Sequence, residues 1–494
     1  MTFLTRNISR LVIMVKRQKI SNVVKILFVA SECTPIAKVG GLGDVIGSLP
    51  KALKELGVDV RICLPKYQII DLKKHKFEQV AKNIIVKDDK VNVYQGFLPD
   101  SKILVYLLEN EKYFGENGVY HGLFSFQGIQ RFLFFSQAVL EIFPAIDWFP
   151  DIIHCHDWHT AILPVLAKLN PKSEILNLKS VLTVHNLSTQ GKWNQKEILD
   201  FLNLRGNELP TLKLRDKNSD FNALQQGILN ADLLNTVSPT YAKKILTKEY
   251  GEDLEESLIK RKKELFGILN GIDKKRFNPE TDPNLKANYS LKNLEKKIEN
   301  KIHLQEILNF KKSPETPLLA FIGRLDLQKG IDLIIEVIPE LIKLGCQLRI
   351  LGVGSPDYEK KLLELSQKYP KNISAQIKFD PVLAQKIYAG ADIFLMPSKF
   401  EPCGLGQMIA MRYGTIPIAR QTGGLVDTID DGKTGFLFKE YQVEVFLKTI
   451  KKVLNLYQDK REWQKLMRAA MKKDFSWTLS AKKYLKLYKK LLNV

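Results

Sequence analysis

Short apolar runs that end in polar, glycine-bearing segments recur along this chain, each followed by a stretch with helical periodicity. Val24–Ser31 (VKILFVAS) has the length and composition of a strand buried on both faces of a parallel sheet. A glycine-rich segment follows, then a predicted helix Val45–Leu56 stopped by Gly57, then a second strand Val58–Leu64, a βαβ unit. Ile152–Cys155, Ser180–Val184 and Leu233–Val237 repeat the pattern. After Asn270-Gly271-Ile272-Asp273 the composition shifts to Lys, Asn and Glu, with Pro279, Pro283, Pro314 and Pro317. Within it Leu291, Leu294, Ile298, Ile302 and Leu304 predict a helix. A second series then begins with strand Leu318–Ile322 and helix Gly330–Leu344, whose apolar face is Ile331, Ile334, Ile335, Ile338 and Leu341. Strand Gln347–Leu351, helix Asp357–Tyr369, strand Ile393–Met396, helix Leu405–Tyr413 and strand Ile416–Ala419 continue it.

Strands thus alternate with helices almost from end to end, which predicts an α/β protein of two doubly wound Rossmann-like domains facing across a deep cleft. Residues 24–275 form the first and 276–472 the second. Residues 473–494 are expected as a helix packing back on the first domain, and residues 1–23 as a basic extension. A length of 494 residues suits two domains that each bury a core. No apolar run approaches the ~20 residues of a spanning helix, so no membrane role is expected. Five cysteines without C-x-x-C spacing indicate reduced thiols in a cytoplasmic setting. Met1–Val24 carries Arg6, Arg10, Lys16, Arg17 and Lys19 without an acid, which fits either a plastid-type or other targeting segment or a start at Met14.

The net charge of +21 raises the question of nucleic acid. Most lysines, however, fall in isolated doublets such as Lys73-Lys74 and Lys482-Lys483, which make solvated helix faces; no nucleic-acid partner is expected. A positive field does attract an anionic small substrate.

Ligands of such sheets bind beyond the carboxyl ends of the strands, and the chemistry-bearing residues lie there. Lys38-Val39-Gly40-Gly41-Leu42-Gly43-Asp44 is either a phosphate-binding turn, with free N–H groups and a lysine, or a tight turn with a surface lysine. Its spacing is not G-x-G-x-x-G, and no acid ends the second strand, which disfavours a dinucleotide. His154-Cys155-His156-Asp157-Trp158-His159 has metal-ligand residue types but no remote partner set, so no metal is expected. With His185 and Asn186 it reads better as a sugar site, His154 being a core histidine. Arg324 and Lys329 flank a strand-to-helix turn and suit a diphosphate; the bland alternative leaves them in solvent, paired with Asp326 and Asp332. Glu401 precedes a glycine-opened helix, and Thr422-Gly423-Gly424-Leu425 forms another strand–glycine–helix turn. There is no D-x-D, so the protein's own cations must face the phosphates, with no cofactor.

Taken in order, K-V-G-G-L-G-D-V, H-C-H-D-W-H, T-V-H-N-L, N-T-V-S-P-T-Y-A, I-L-N-G-I-D, G-R-L-x-x-Q-K-G, E-P-C-G-L and T-G-G-L-V-D-T resemble bacterial glycogen synthase and plant starch synthase, from Val24 to the C-terminus. The resemblance implies the glycosyltransferase B fold and transfer of glucose from ADP-glucose to the non-reducing end of an α-1,4-glucan (glycogen or starch) with retention. By it, Lys38 contacts the donor nucleotide, and Gly40 and Gly41 belong to the same donor loop. Asp44, Asp157, His185 and Asn270 surround the sugar and the reacting centre. Arg324 and Lys329 take the distal phosphate, Glu401 grips the glucose beside Cys403, and Thr422, Gly423, Gly424 and Leu425 lie under the phosphates. His185, Asp157, Glu401, Arg324 and Lys329 are the implied catalytic group. The chain departs from the family pattern at Gln127-Gly128, Thr189 and Gln225, all in the acceptor-side half. Two rivals stay open: a related transferase using UDP-glucose or another acceptor, and a catalytically idle glucan-binding paralogue.

Overall fold

The structure, a computed structural model, describes residues 23–116, 118–122, 125–173, 175–208, 211 and 220–494. The basic extension expected at the N-terminus, Val23 apart, lies outside the described residues. Contacts sort the chain into two compact units. The first is built from residues up to Leu182, Gly191–Asp232 and Leu485–Val494; the second from Thr183–Gln190 and Leu233–Tyr484.

In the first unit, β1 (Lys25–Val29) pairs in parallel with β2 (Asp59–Pro65) on one side and, across the sheet, with β6 (Ile152–His156) on the other. β1 is buried almost throughout, as a continuous apolar run on a doubly covered sheet must be. The helix Gly41–Glu55 closes the predicted βαβ unit. The regular alternation fails next. β3 (Glu78–Val86), β4 (Asp89–Phe97) and β5 (Leu104–Glu109) form an antiparallel meander, with β5 parallel to β2. β3 is an edge strand open to solvent on much of its length, so it lacks the unbroken apolar run that marks the buried strands. β7 (Lys179–Val184) follows β6 and passes from the first unit into the second. A short hairpin, β8 (Lys192–Asn194) with β9 (Asp220–Asn222), stands apart in the first unit. β10 (Leu233–Thr236) and β11 (Leu265–Gly267) continue from the second-unit end of β7.

The rest of the second unit is a parallel six-stranded sheet, β14-β13-β12-β15-β16-β17. Its strands are β12 (Leu318–Ile322), β13 (Gln347–Gly352), β14 (Ile373–Ile377), β15 (Ile393–Met396), β16 (Ile416–Arg420) and β17 (Phe436–Phe438). The helix after β12, Ile331–Lys343, buries Ile331, Leu333, Ile334, Val337, Ile338 and Leu341. Ile335, expected on that face, is only half-buried because the covered stripe is centred one position away.

A larger correction concerns the helix Lys297–Ile307. Its sequence pattern assigns Ile298 to the core, yet Ile298 is exposed, and the buried residues are Lys297, Asn300, Lys301, Leu304 and Gln305. Lys297 Nζ donates to the carbonyls of Tyr388 and Ala389 and to Thr415 Oγ1, so one ammonium satisfies the end of the helix Pro381–Gly390. Lys301 Nζ lies 2.7 Å from Asp392 and also donates to Tyr457. Long aliphatic stems let lysine cover apolar surface while its charged head finds partners, which a hydrophobicity pattern does not register.

The helix Trp477–Leu492 supplies Tyr484, whose hydroxyl donates to Asn235 in the second unit, and Tyr488, which bonds His154 Nδ1 at 2.7 Å in the first. Among the described residues no helix is long and apolar enough to cross a membrane.

Candidate functional site

In the second unit, three strand ends bring their loops together. The loop after β12 carries Arg324 and Lys329, and Asp326 caps its turn by accepting from the Lys329 N–H at 3.0 Å. Gly330 then adopts φ +73°, and a Cβ there would lie 2.1 Å from the Pro397 carbonyl oxygen. Only glycine lets this loop press onto the one after β15. The close approach delivers Lys329 Nζ to Glu401 Oε2 at 2.7 Å, with Ser398 Oγ 3.3 Å from the same oxygen. Glu401 is 5% exposed. Lys329 therefore pairs with Glu401; Asp332, the partner considered from sequence, accepts instead from Tyr441 at 2.6 Å. Arg324 stands 59% exposed, its guanidinium held by Asp326 at 3.2 Å and Gln328 at 2.6 Å.

The loop after β16 closes on the same spot. Gly423 has φ +46°, and a Cβ there would meet the Glu401 carbonyl at 1.9 Å; one on Gly424 would meet Cys403 Cα at 2.5 Å. The Gly424 N–H donates to the Glu401 carbonyl at 3.1 Å. Thr422 is buried and accepts from Lys244 at 3.1 Å, and Leu425 is buried. The loop after β11 adds Asn270, whose backbone N–H bonds the Cys403 sulfur. Asn270 is 6% exposed, and its side-chain oxygen has no partner among the described residues. Burial pushes the Cys403 thiol up to about 12, so it stays protonated and is no nucleophile at neutral pH. Lys329, Glu401, Cys403, Asn270 and the Thr422–Leu425 turn thus form one cluster of contacts, while Arg324, on the same loop as Lys329, bonds its own loop's Asp326 and Gln328. His185, in the same unit at the end of β7, is half-buried, and desolvation pushes its imidazole down to about 3. It is neutral at working pH.

In the first unit, Lys38 Nζ reaches both oxygens of Asp44, at 2.6 and 2.8 Å, across the glycine loop. The expected offer of free loop N–H groups to a ligand anion fails at two positions. The amides of Val39 and Gly40 already donate to Glu32 Oε2, each at 2.6 Å. Gly41 opens the helix with nothing near its Cα hydrogens. Asp157 follows β6 in the left-handed region at φ +56° and is buried, an unusual backbone state for a side chain other than glycine. Its neighbour Trp158 packs against Gly191, where a Cβ would come 2.3 Å from the indole. His154 is fully buried, stacked near Phe28 and His156 and bonded to Tyr488, the core role expected of it. Among the described residues, no three His, Cys, Asp or Glu side chains form a metal set. Of the departures, Gln127 and Thr189 are exposed, Gly128 is buried, and Gln225 lies at a helix start capped by Asn222.

Sequence reasoning missed Glu32 and Tyr120. Glu32 is 2% exposed and takes a short hydrogen bond from the Tyr120 hydroxyl. The available signal was a lone acid between a buried strand and the glycine loop.

The starch synthase catalytic domain profile matches residues 25–260, and the group 1 glycosyl transferase profile matches residues 305–470. Glycogen synthase of Thermotoga petrophila is 44% identical over 489 residues, spanning 95% of this chain and 99% of that protein. Glycogen synthase of Lactobacillus acidophilus is 42% identical over 479 residues, spanning 95% and 100%. The catalytic domain of starch synthase IV from Arabidopsis thaliana, solved with ADP and acarbose bound, superposes with a TM-score of 0.87 at 33% identity, covering 96% of this chain and 100% of that one. Sucrose-phosphate synthase of Thermosynechococcus elongatus shares the fold at a TM-score of 0.62 and 18% identity. With the motif residues gathered at the strand ends as described, the chain belongs to the glycogen and starch synthase family, glycosyltransferases of the B fold.

Proposed function

We propose that the chain transfers glucose from ADP-glucose to the non-reducing end of an α-1,4-glucan, with retention at the anomeric carbon. The observation that carries this is the Lys329–Glu401 pair, set at the ends of β12 and β15 under the Gly423-Gly424 turn. A cation suited to phosphate and a carboxylate suited to sugar hydroxyls stand side by side there, which supports a sugar diphosphate as donor. The relative solved with ADP and acarbose supports the same ligand classes.

In this reading, cleavage of the glucosyl–phosphate bond leaves an oxocarbenium-like sugar and a diphosphate gaining charge. Arg324 and Lys329 stabilise that leaving group in preorganised positions. Lys329 moves its hydrogen bonds from Glu401 to phosphate, and Glu401 is released to accept from glucose hydroxyls. Cys403 packs beside the sugar as a neutral thiol, Asn270 offers its amide oxygen, and neutral His185 and Asp157 are each assigned to the sugar by the family resemblance. Lys38 and the Gly40-Gly41-Asp44 loop bind the donor nucleotide. Retention without a protein nucleophile fits front-face attack by the acceptor hydroxyl, its proton passing to the departing phosphate.

The test is turnover of ADP-glucose and UDP-glucose with glycogen, with the product linkage read by NMR. Extension of glycogen by α-1,4-linked glucose, faster from ADP-glucose, supports the proposal. Binding of glycogen without transfer from either donor overturns it in favour of an idle paralogue.

A further inference from the structure

The glycine loop of the first unit encloses a carboxylate of its own. Glu32 follows β1 and is buried; its carboxylate faces the loop from beneath. Oε2 accepts the consecutive backbone N–H groups of Val39 and Gly40 at 2.6 Å each. Oε1 accepts from the Tyr120 hydroxyl. Tyr120 Oη also lies 3.1 Å from Ser31 Oγ, and Tyr67 donates to the Ser31 carbonyl at 2.9 Å. Small residues on the loop allow this. A Cβ on Gly43 would stand 3.2 Å from Glu32 Oε2, and one on Gly47 would stand 2.5 Å from the Thr34 carbonyl. Fixing the amides of residues 39 and 40 fixes the peptide planes directly after Lys38, and so the direction its side chain leaves the backbone. Hydrogen bonds to a charged acceptor are about twice as strong as neutral ones, and two consecutive amides on one oxygen define a single loop geometry.

We infer that Glu32, anchored by Tyr120, is a positioning residue for donor binding: its carboxylate stands inside the glycine loop and fixes the backbone from which Lys38 extends to the nucleotide diphosphate. The inference rests on the transfer reading proposed above. Two alternatives compete with it. If the loop bound a phosphate through the amides of Val39 and Gly40, they would need to be unoccupied, and they are not. If Glu32 were only a core residue, Glu32→Gln would lower the melting temperature and leave ADP affinity unmoved, which a thermal scan and calorimetry separate.

Glu32→Gln preserves shape and removes the charge; Tyr120→Phe removes a single hydroxyl. Both are compared with wild type and with Lys38→Ala for kcat, donor KM, glycogen KM and melting temperature, and ADP affinity is read by calorimetry. The expected result for Glu32→Gln is a donor KM and an ADP Kd raised about tenfold, with kcat within about threefold and glycogen KM unchanged. Tyr120→Phe moves the same constants in the same direction by less. In the Lys38→Ala background, Glu32→Gln adds less than twofold, since the two act through one contact. Unchanged ADP affinity in both variants overturns the inference, as does full additivity with Lys38→Ala. A wild-type chain that binds ADP but transfers no glucose sinks the transfer reading instead, and leaves the calorimetric comparison to decide on Glu32.

Discussion

Lys329 Nζ lies 2.7 Å from Glu401 Oε2, so the cation proposed for the phosphate and the carboxylate proposed for the sugar are ion-paired with each other. Lys38 with Asp44 and Arg324 with Asp326 repeat the arrangement. Each cation proposed for donor binding is thus held in place by a neighbouring acid. Replacing Glu401 by Gln keeps the shape but removes the charge that accepts from sugar hydroxyls. The expected outcome is a fall in kcat on the order of 100-fold together with a lowered melting temperature, since Lys329 loses its charged partner, read by steady-state kinetics and a thermal scan.

Gly423→Ala is the sharpest steric test of the same cluster. The new methyl would stand 1.9 Å from the Glu401 carbonyl, in a backbone state already unfavourable for alanine. The turn must move, and Glu401 and Cys403 move with it. Activity is expected to fall at least 100-fold, and stability by about 1–3 kcal/mol, measured by denaturant unfolding beside a turnover assay.

Two histidines make the stability pH-dependent. Burial pushes His159 and His185 each down to about 3 from an ordinary value of 6.5. His159 is packed among Tyr120, Phe132 and Trp158, and neither ring nitrogen has a partner among the described residues. Between these limits the unfolded chain binds protons that the folded chain refuses. Stability is therefore whole above about pH 7 and is lost as pH falls through 6.5 toward 3. Each histidine should cost about 2 kcal/mol by pH 5. Denaturant midpoints at pH 7 and pH 5 check this, and His159→Phe should roughly halve the difference.

Lys301 separates stability from catalysis. It is nearly fully buried against Asp392 at the amino ends of β12 and β15, whereas the donor loops leave the carboxyl ends of the same strands. Lys301→Met leaves that carboxylate without its cation, at a cost of about 3–5 kcal/mol. The protein that remains folded should keep its kcat, so activity per folded molecule, titrated against denaturant midpoint, distinguishes this variant from those at Lys329.

The parallel strands and the loops after them were legible because their signal is local. Unbroken apolar runs such as Leu318–Ile322 and Ile393–Met396 matched the observed strands residue for residue. Arg324, Lys329, Glu401 and Gly423 were legible as types at strand ends, but the Lys329–Glu401 pairing was not, because it depends on Gly330 packing onto Pro397. The meander β3–β5 was not legible because β3 and β4 carry no continuous apolar run, although β5, buried between β2 and β4, does. The helix Lys297–Ile307 was read with the wrong face, since its buried side is held by ammonium groups and amides and not by its isoleucines. Glu32 was passed over because an acid followed by loop residues looks solvated until the loop is seen folded over it.

The account turns on fixed cations stabilising a departing diphosphate. Its most direct measurement is ADP release from ADP-glucose with saturating glycogen, in chelator, for wild type, Lys329→Ala and Arg324→Ala. The predicted result is glycogen-dependent release by wild type, with turnover lowered roughly 100-fold or more in each variant, the loss of one such donor being about 2.7–4 kcal/mol of transition-state stabilisation. Turnover within threefold of wild type in both variants would contradict it.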